Sequence, residues 1–214
     1  MILLLLATGC VSPSLAQEAV TLSGQASLSV DHWRGAATLR IQAFLPAASL
    51  LPEERQGIPM DGCRSILPES FGNDLVFRKV PLKAVCAGVD LRETSRSSGL
   101  VNYELSAIPP TGTICHVEVG DQVYELPPLP SLGAPQRAGR ELTWEPSGAD
   151  EVRVVTLGSG ERSHMCRSSD DGQLRLPRKM RSGTTFVTWH NAQHALRDGQ
   201  TFALSATVGT WLQD

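Results

Sequence analysis

The feature that most constrains the fold of this chain is an alternation of apolar and polar residues that recurs along most of its length. Over residues 20–30 and 37–45, apolar side chains occupy almost every second position, with mostly Ser, Thr, Arg and Gln between them. A period of two places the apolar side chains on one face of a β-strand. No long stretch has the period of an amphipathic helix, so the sequence predicts an all-β fold.

Turn residues divide the alternating segments into separate strands. The segment 31–35 ends in Gly35 and joins the first two strands, which predicts a hairpin. Prolines and glycines interrupt the pattern over 46–73, which predicts a long loop. Later strands are predicted over residues 75–80, 84–91, 100–107, 113–119, 123–126, 142–144, 152–157, 163–166, 173–176, 184–190 and 201–208.

A proline-rich segment and a faint internal repeat predict two domains. Residues 127–136 contain four prolines, which cannot donate the hydrogen bonds of a sheet and which hold a chain extended. On either side of this segment, Cys115 and Cys166 occupy equivalent places in two similar patterns of strands and turns. The sequence therefore predicts two small antiparallel β-sandwich modules, over residues 20–130 and 138–214.

The N-terminus carries an export motif. Residues 1–9 are apolar or small, and Leu6-Ala7-Thr8-Gly9-Cys10 resembles a bacterial lipoprotein signal. The resemblance implies that residues 1–9 are a signal peptide, that Cys10 receives lipid with chains such as palmitate, and that residues 10–19 are a tether. It also implies a lipid-anchored place in the cell envelope. In a cell with two membranes this is the outer membrane, because Val11 and not Asp follows the cysteine.

A second cleavage site competes with the first. Ser14-Leu15-Ala16 has small residues at both positions that a signal peptidase recognises. Cleavage after Ala16 would release a soluble periplasmic or secreted protein, and this alternative to a lipid anchor stays open.

The five cysteines agree with export. With Cys10 reserved for lipid, four remain, an even number that an oxidising compartment can pair. The alternation points Cys115 and Cys166 into separate cores, so a bond between them is not expected, and burial as free thiols stays open for both. Cys86 has the opposite parity to the neighbouring valines, which predicts a disulfide with Cys63 in the long loop.

The second half of the chain resembles a known class of module. Leu142-Thr143-Trp144-Glu145-Pro146, Val152-Arg153-Val154 and the segment 166–177 are similar to immunoglobulin-like and fibronectin type III-like modules of bacterial envelope lipoproteins. The resemblance covers residues 140–212 and implies a two-sheet sandwich with Trp144 between the sheets. It implies architecture only, because this fold hosts many functions.

Two histidines are the candidates for a metal site. His190 and His194 form an H-x-x-x-H pattern, in which two imidazoles can share an ion when both lie on one helix. The sequence predicts instead that His190 ends a strand and that His194 lies in a polar loop. No bound metal and no cofactor are therefore expected.

Three residues are candidates for ligand binding. Trp33 lies at the predicted hairpin tip, where an exposed ring can stack on a sugar or on a partner protein. A ring that folds back over the hairpin fits the same position, and both interpretations stay open. Arg178 and Lys179 belong to a basic cluster around Pro177, which can face anionic lipid or polysaccharide. A solvated turn accounts for the same basic cluster, and both interpretations stay open.

Charge and motif spacing exclude several classes of function. The net charge of -3 argues against a nucleic-acid partner. Gly158-Ser159-Gly160 lacks the spacing of a nucleophile elbow, and no spacing unites Ser, His and Asp into a triad, so the chain is not expected to be an enzyme. The sequence predicts a lipid-anchored, non-catalytic interaction or structural module of the envelope, with an envelope protein or polysaccharide as partner. A soluble binding module for carbohydrate or metal and an enzyme of unrecognised type are the alternatives.

Overall fold

The structure, a computed structural model, describes residues 23–44, 60–66, 82–97, 100–157, 163–180, 184–197 and 200–212. Within these residues the regular structure consists of β-strands and one short 3-10 helix, which confirms the all-β prediction. None of the described residues forms a helix long and apolar enough to cross a bilayer. The predicted signal peptide, Cys10, the tether, the predicted strand 75–80 and most of the long loop lie outside the described residues.

The described strands form three sheets. The strands are β1 (Ser23–Asp31), β2 (Ala36–Phe44), β3 (Cys63–Ile66), β4 (Leu82–Cys86), β5 (Val89–Asp90), β6 (Arg92–Ser97), β7 (Leu100–Leu105), β8 (Cys115–Val119), β9 (Gln122–Glu125), β10 (Gln136–Ala138), β11 (Glu141–Thr143), β12 (Glu151–Leu157), β13 (Ser163–Ser168), β14 (Gln173–Arg175), β15 (Thr185–Arg197) and β16 (Gln200–Leu212). A nine-stranded sheet has the order β3-β13-β12-β15-β16-β1-β2-β7-β6, and smaller sheets have the orders β5-β4-β8-β9 and β10-β11-β14. The 3-10 helix covers Arg178–Met180.

The first hairpin, β1–β2, forms as the sequence predicts. The side-chain carboxylate of Asp31 accepts the backbone N–H groups of Trp33 and Arg34 at 3.0 and 3.2 Å. Gly35 closes the turn with a φ of 62°, a left-handed conformation that glycine adopts without a steric penalty. Local turn chemistry is therefore sufficient to place these two strands side by side.

The division into two separate sandwiches is wrong. Strands β1, β2, β6 and β7 from the first half of the chain share one sheet with β12, β13, β15 and β16 from the second half. The two groups meet where β1 pairs with β16, in parallel, with Gly24 opposite Phe202 and Asp31 opposite Gly209. Alternation fixes which face of a strand is buried, but it does not fix which strand lies beside it. The boundary between residues 20–130 and 138–214 therefore does not separate the strands of the sheet.

The proline-rich segment is also not a linker between domains. Leu129 is 3% exposed, and Pro127 and Pro130 are buried beside it. The backbone N–H of Leu129 donates to the carbonyl of Thr113, in the first half of the chain. A Cβ atom on Gly133 would lie 2.7 Å from the indole ring of Trp189, so this glycine is required by the close approach of the two segments. The segment is part of the core.

One contiguous hydrophobic core is shared by the three sheets. The ring of Tyr124, on β9, stacks on Phe202, on β16, with centroids 4.4 Å apart. Trp144 is 6% exposed, which agrees with its predicted place in a core, and Trp189 is fully buried. The largest fully buried side chains are Trp189, Tyr124, Phe202, Leu28, Leu39, Ile41, Leu126, Leu142, Leu176, Met180 and Val101.

The predicted Cys63–Cys86 disulfide is wrong. Cys63 is bonded to Cys166 and Cys86 is bonded to Cys115, with Cα atoms 4.0 and 4.2 Å apart. Both bonds join residues that lie directly opposite each other in antiparallel strand pairs, β3–β13 and β4–β8. The predictions that Cys115 and Cys166 point inward and do not bond to each other are confirmed, because both are fully buried and each has another partner.

A turn after Cys86 explains why strand alternation mispredicted the direction of its side chain. Ala87 and Gly88 have φ values of 51° and 77°, so the chain turns directly after Cys86 and the strand alternation does not continue through Val89. Val89 is 63% exposed, whereas Ala84 is fully buried and Cys86 is 5% exposed. Cys86 therefore shares the inward face with Ala84.

The two disulfides should differ in their contribution to stability. The Cys63–Cys166 bond closes a loop with a sequence separation of 103 and the Cys86–Cys115 bond one of 29. Because a longer loop restricts the unfolded chain more, the double variant Cys63→Ala with Cys166→Ala should lose about 1 kcal/mol more unfolding free energy than Cys86→Ala with Cys115→Ala. Urea unfolding followed by circular dichroism measures both. The reverse order would contradict this assignment of the two loops.

Candidate functional site

The face of the nine-stranded sheet that points away from the core carries a groove with a volume of about 640 Å³. Its floor is formed by β1, β16, β15 and the start of β12. The lining residues are Gln25, Ser27, Ser29, Met60, Asp150, Glu151, Arg153, Arg167, His190, Ala192, Gln193, His194, Ala203, Leu204, Ser205 and Thr207.

The groove is open because the side chains along its floor are small and mostly polar. Ser27 lies opposite Ser205, which in turn lies opposite Ala192 on the next strand. The next register row along the strands contains Ser29, Thr207 and His190. Because residues two apart point to the same face, the alternation that buries the apolar residues of β1 and β16 also aligns their Ser and Thr hydroxyls on the outer face.

A buried carboxylate between two guanidinium groups closes one side of the groove. Glu151 is only 4% exposed. Arg153 donates from Nε to one carboxylate oxygen at 2.5 Å, and Arg167 donates from Nε to the other at 2.6 Å. The Nη2 groups of both arginines pair with the same oxygens. Charge-assisted bonds to both carboxylate oxygens offset the cost of removing a carboxylate from water.

His190 lies next to this cluster and is held by two hydroxyl groups. Its Nε2 is 2.7 Å from Oγ1 of Thr188, and its Nδ1 is 2.9 Å from Oγ1 of Thr207. Burial, and to a smaller extent the positive charges of Arg153 and Arg167, lower the pKa of His190 to about 3. The imidazole is therefore neutral at physiological pH.

Both ring nitrogens of His190 are engaged within the protein, each by a threonine hydroxyl. The Thr188 hydroxyl also lies 3.3 Å from the backbone carbonyl of Arg153. In a neutral imidazole one ring nitrogen donates and the other accepts, and a threonine hydroxyl can take either complementary role.

The two histidines are not brought together for a metal. His190 and His194 both lie on β15, so His194 is in a strand and not in the predicted loop. Four residues along a strand correspond to about 14 Å, too far for one ion to bind both. Within the described part of the chain, no group of three or more His, Cys, Asp or Glu side chains could hold a metal ion.

The other predicted ligand-binding residues lie outside the groove. Trp33 lies on the β1–β2 turn, as predicted, and its side chain is 56% exposed. Arg178 and Lys179 are exposed on the 3-10 helix that precedes β15. None of the three lines the channel.

Asp170 has a structural role. Its carboxylate accepts hydrogen bonds from the Trp144 indole N–H at 2.7 Å and from the backbone N–H groups of Ser147 and Ala149 at 2.6 and 3.0 Å. Burial alone would raise the pKa of Asp170, but these hydrogen bonds and one from the Ser147 hydroxyl lower it. The carboxylate fixes the 145–149 loop and has little capacity left for a ligand.

Sequence reasoning missed the residues that define the groove. Glu151, Arg153 and Arg167 were not candidates, and neither were the Ser and Thr residues of β1 and β16. The sequence does indicate that Glu151 and Arg153 face outward, because they alternate with the buried Val152 and Val154. Their proximity to β1 depends on the order of the strands, which alternation does not encode.

Comparisons with known proteins do not identify a family. No protein-family model matches the chain, and no curated protein matches it. One solved structure found in the comparison is the I9–I11 tandem from titin, at 8% sequence identity and a TM-score of 0.26. The match covers 88% of this chain, and the chain spans 64% of the length of that structure.

The neutral state of the partly buried His190 should make the protein less stable in acid. Since its folded pKa of about 3 lies below the ordinary value of 6.5, the unfolded chain binds the proton more tightly. The unfolding free energy should then fall as the pH decreases from 6.5 towards 3, by up to about 1.4 kcal/mol per pH unit. His190→Gln keeps a donor and an acceptor for the two threonines and should flatten this dependence.

Urea unfolding at a series of pH values measures the effect. His194→Gln is the matched control, because His194 lies on the same strand and is exposed. An NMR titration in which His190 gains its proton near pH 6.5 would contradict the interpretation.

Proposed function

We propose that the protein is a lipid-anchored binding module of the cell envelope that holds a polar, hydroxyl-rich ligand in the outer-face groove. The observation that carries the proposal is the composition of that groove, in which hydroxyl, amide, guanidinium and carboxylate groups converge on one channel. The module is non-catalytic and presents its ligand or partner at the membrane surface.

The disulfides support export. Two disulfide bonds join four of the five cysteines, and such bonds persist in oxidising compartments outside the cytoplasm. The remaining cysteine is Cys10, which lies in the lipoprotein-type motif. Acyl chains on Cys10 would retain the protein on a membrane, because each buried methylene contributes about 0.8 kcal/mol.

The state of the polar groups favours binding over catalysis. A general base needs an available lone pair and a pKa near the working pH. His190 has both ring nitrogens engaged by threonines and a pKa of about 3. Glu151 has both carboxylate oxygens engaged by arginines. These groups are fixed in place, which suits recognition better than proton transfer.

Charge balance favours an uncharged ligand. The charged side chains of the lining are Asp150, Glu151, Arg153 and Arg167, two negative and two positive, which sum to zero. The serine and threonine hydroxyls of the groove can each donate and accept a hydrogen bond. The amide of Gln193 instead donates to the backbone carbonyl of Glu125, at 2.5 Å. A carbohydrate, whose hydroxyls also donate and accept, matches this surface better than an anionic lipid or a nucleic acid does.

The anchor is tested by metabolic labelling with a palmitate analogue that carries an alkyne. Wild-type protein should incorporate the label and enter the detergent phase of a Triton X-114 partition. Cys10→Ser should do neither. A mature N-terminus at Gln17 without lipid would contradict the anchor and favour the soluble alternative.

The groove is tested by filling it. Ser205→Trp places a large side chain at the centre of the channel and should weaken co-sedimentation with washed cell envelopes at least tenfold. Val123→Trp is the matched control, because Val123 is 45% exposed on β9, outside the groove. Thermal melts verify that both variants fold. Equal binding by the two folded variants would contradict the groove as the ligand site.

A further inference from the structure

An aromatic pair lies on the outer face just beyond the groove. Phe186 on β15 and Trp211 on β16 are directly opposite in register, with ring centroids 4.6 Å apart and an interplanar angle of 37°. Both side chains are half-buried and keep part of their surface in solvent. They lie four residues along the strands from His190 and Thr207, which line the groove, with the outward-facing Thr188 and Gly209 between them. The aromatic pair therefore extends the groove along β15 and β16.

A glycine makes room for this pair. A Cβ atom on Gly209 would lie 2.7 Å from Cζ of Phe186 and 2.7 Å from Cγ2 of Thr188. Gly209 does not have a positive φ, so its backbone does not require glycine. The missing side chain lets the Phe186 ring lie across β16 against Trp211. The two rings therefore form an aromatic patch close to the backbone of the sheet, on a face whose other side chains are mostly polar.

A third aromatic residue lies at the same end of the sheet. Asp31, the last residue of β1, is opposite Gly209, and the next backbone N–H, of His32, donates to the Gly209 carbonyl at 2.9 Å. Trp33 follows at once and is 56% exposed. The other two tryptophans, Trp144 and Trp189, are buried in the core. The exposed and half-exposed tryptophans of the described chain are thus both at this end.

We infer that the ligand of the proposed binding site is a linear, uncharged polysaccharide, which lies along the groove and packs sugar rings on the Phe186–Trp211 pair. The inference rests on the proposed function. A pyranose ring has an apolar face of C–H groups and a rim of hydroxyls, so it packs its face on an aromatic ring and hydrogen-bonds along its edge. The aromatic end supplies the first kind of contact, and the groove supplies the second.

The length of the surface favours a polymer over a single sugar. His194 lines one end of the groove, and Phe186 lies eight positions away on the same strand. That distance corresponds to about 27 Å along β15, several times the length of one sugar ring. A monosaccharide would therefore contact the polar channel or the aromatic pair, but not both.

Backbone pairing argues against an extended peptide on this face. Strand β16 is hydrogen-bonded to β15 on one side and to β1 on the other, and residues 185–190 of β15 are hydrogen-bonded to β16 and β12. A peptide that binds as an added strand needs unpaired backbone groups at a sheet edge. The central face offers side chains alone, which suits a ligand recognised through hydroxyls and ring faces.

The inference is tested by native gel electrophoresis of the detergent-purified full chain in gels that contain one polysaccharide each. The probes are a β-glucan, a galactomannan and dextran, which are neutral, and alginate, which is anionic. At least one neutral polymer should retard the wild type. Phe186→Ala and Trp211→Ala should raise the Kd for that polymer at least tenfold, whereas Phe186→Tyr, which keeps the ring, should bind like the wild type. Ile114→Ala is the control, because Ile114 is 49% exposed and lies outside both surfaces.

The outcomes separate this inference from the proposed function. If Ser205→Trp abolishes binding to envelopes while folded Phe186→Ala and Trp211→Ala bind normally, the groove is a site but the aromatic pair has no part in it. Retardation by alginate alone, or by none of the neutral polymers, overturns the assignment to an uncharged polysaccharide. Loss of binding in Phe186→Ala is counted only if its circular dichroism spectrum and melting temperature show a folded protein.

Discussion

The parallel pairing of β1 with β16 joins the two halves of the chain into one sheet. These strands come from the two ends of the described chain, with Ala26 opposite Leu204 and Val30 opposite Val208. All four side chains are buried. The pairing therefore contributes both backbone hydrogen bonds and apolar side chains of the common core. Without it, the nine-stranded sheet would separate into two pieces, each with a long apolar edge strand. Exposed edges of that kind promote aggregation.

The candidate site is a consequence of the same pairing. Strand β1 supplies part of the groove, and most of its other lining residues lie on β16, β15, β12 and β13, so neither half of the chain contains the site by itself. The register places Ser27 beside Ser205 and Ser29 beside Thr207. It also ends β1 next to Gly209, which brings the Trp33 turn to the aromatic end of the outer face. The disulfide between Cys63 and Cys166 adds a second, covalent link between the halves.

Local features of the fold could be predicted from the sequence, and non-local ones could not. The β1–β2 hairpin follows from alternation and from a turn that Asp31 and Gly35 favour. The inward direction of Cys115 and Cys166 also follows from alternation. The partners of these cysteines depend on which strands are neighbours, and loop closure over long sequence separations leaves no local signal. The prediction for Cys86 was wrong for a local reason, the left-handed turn at Ala87. Alanine seldom adopts such a conformation, so the sequence did not indicate a turn there.

The proline-rich segment illustrates the same limit. Its prolines correctly indicate a chain without ladder hydrogen bonds, but the absence of a ladder is compatible with a buried segment as well as with a linker. Leu129 and Gly133 decide between the two, through contacts with distant residues such as Trp189. In the site, alternation identifies Glu151 and Arg153 as outward-facing, but only the strand order shows that they border the serines of β1.

Both halves of the chain share one sheet through the pairing of β1 with β16. Interstrand nuclear Overhauser effects between backbone protons test this pairing in full-length protein labelled with ¹⁵N and ¹³C. We expect contacts that connect Gly24–Asp31 to Phe202–Gly209 in parallel register, with Ala26 close to Leu204 and Val30 close to Val208. If β1 showed such contacts with β2 but none with any residue beyond 135, the two halves would be separate units and the account would be contradicted.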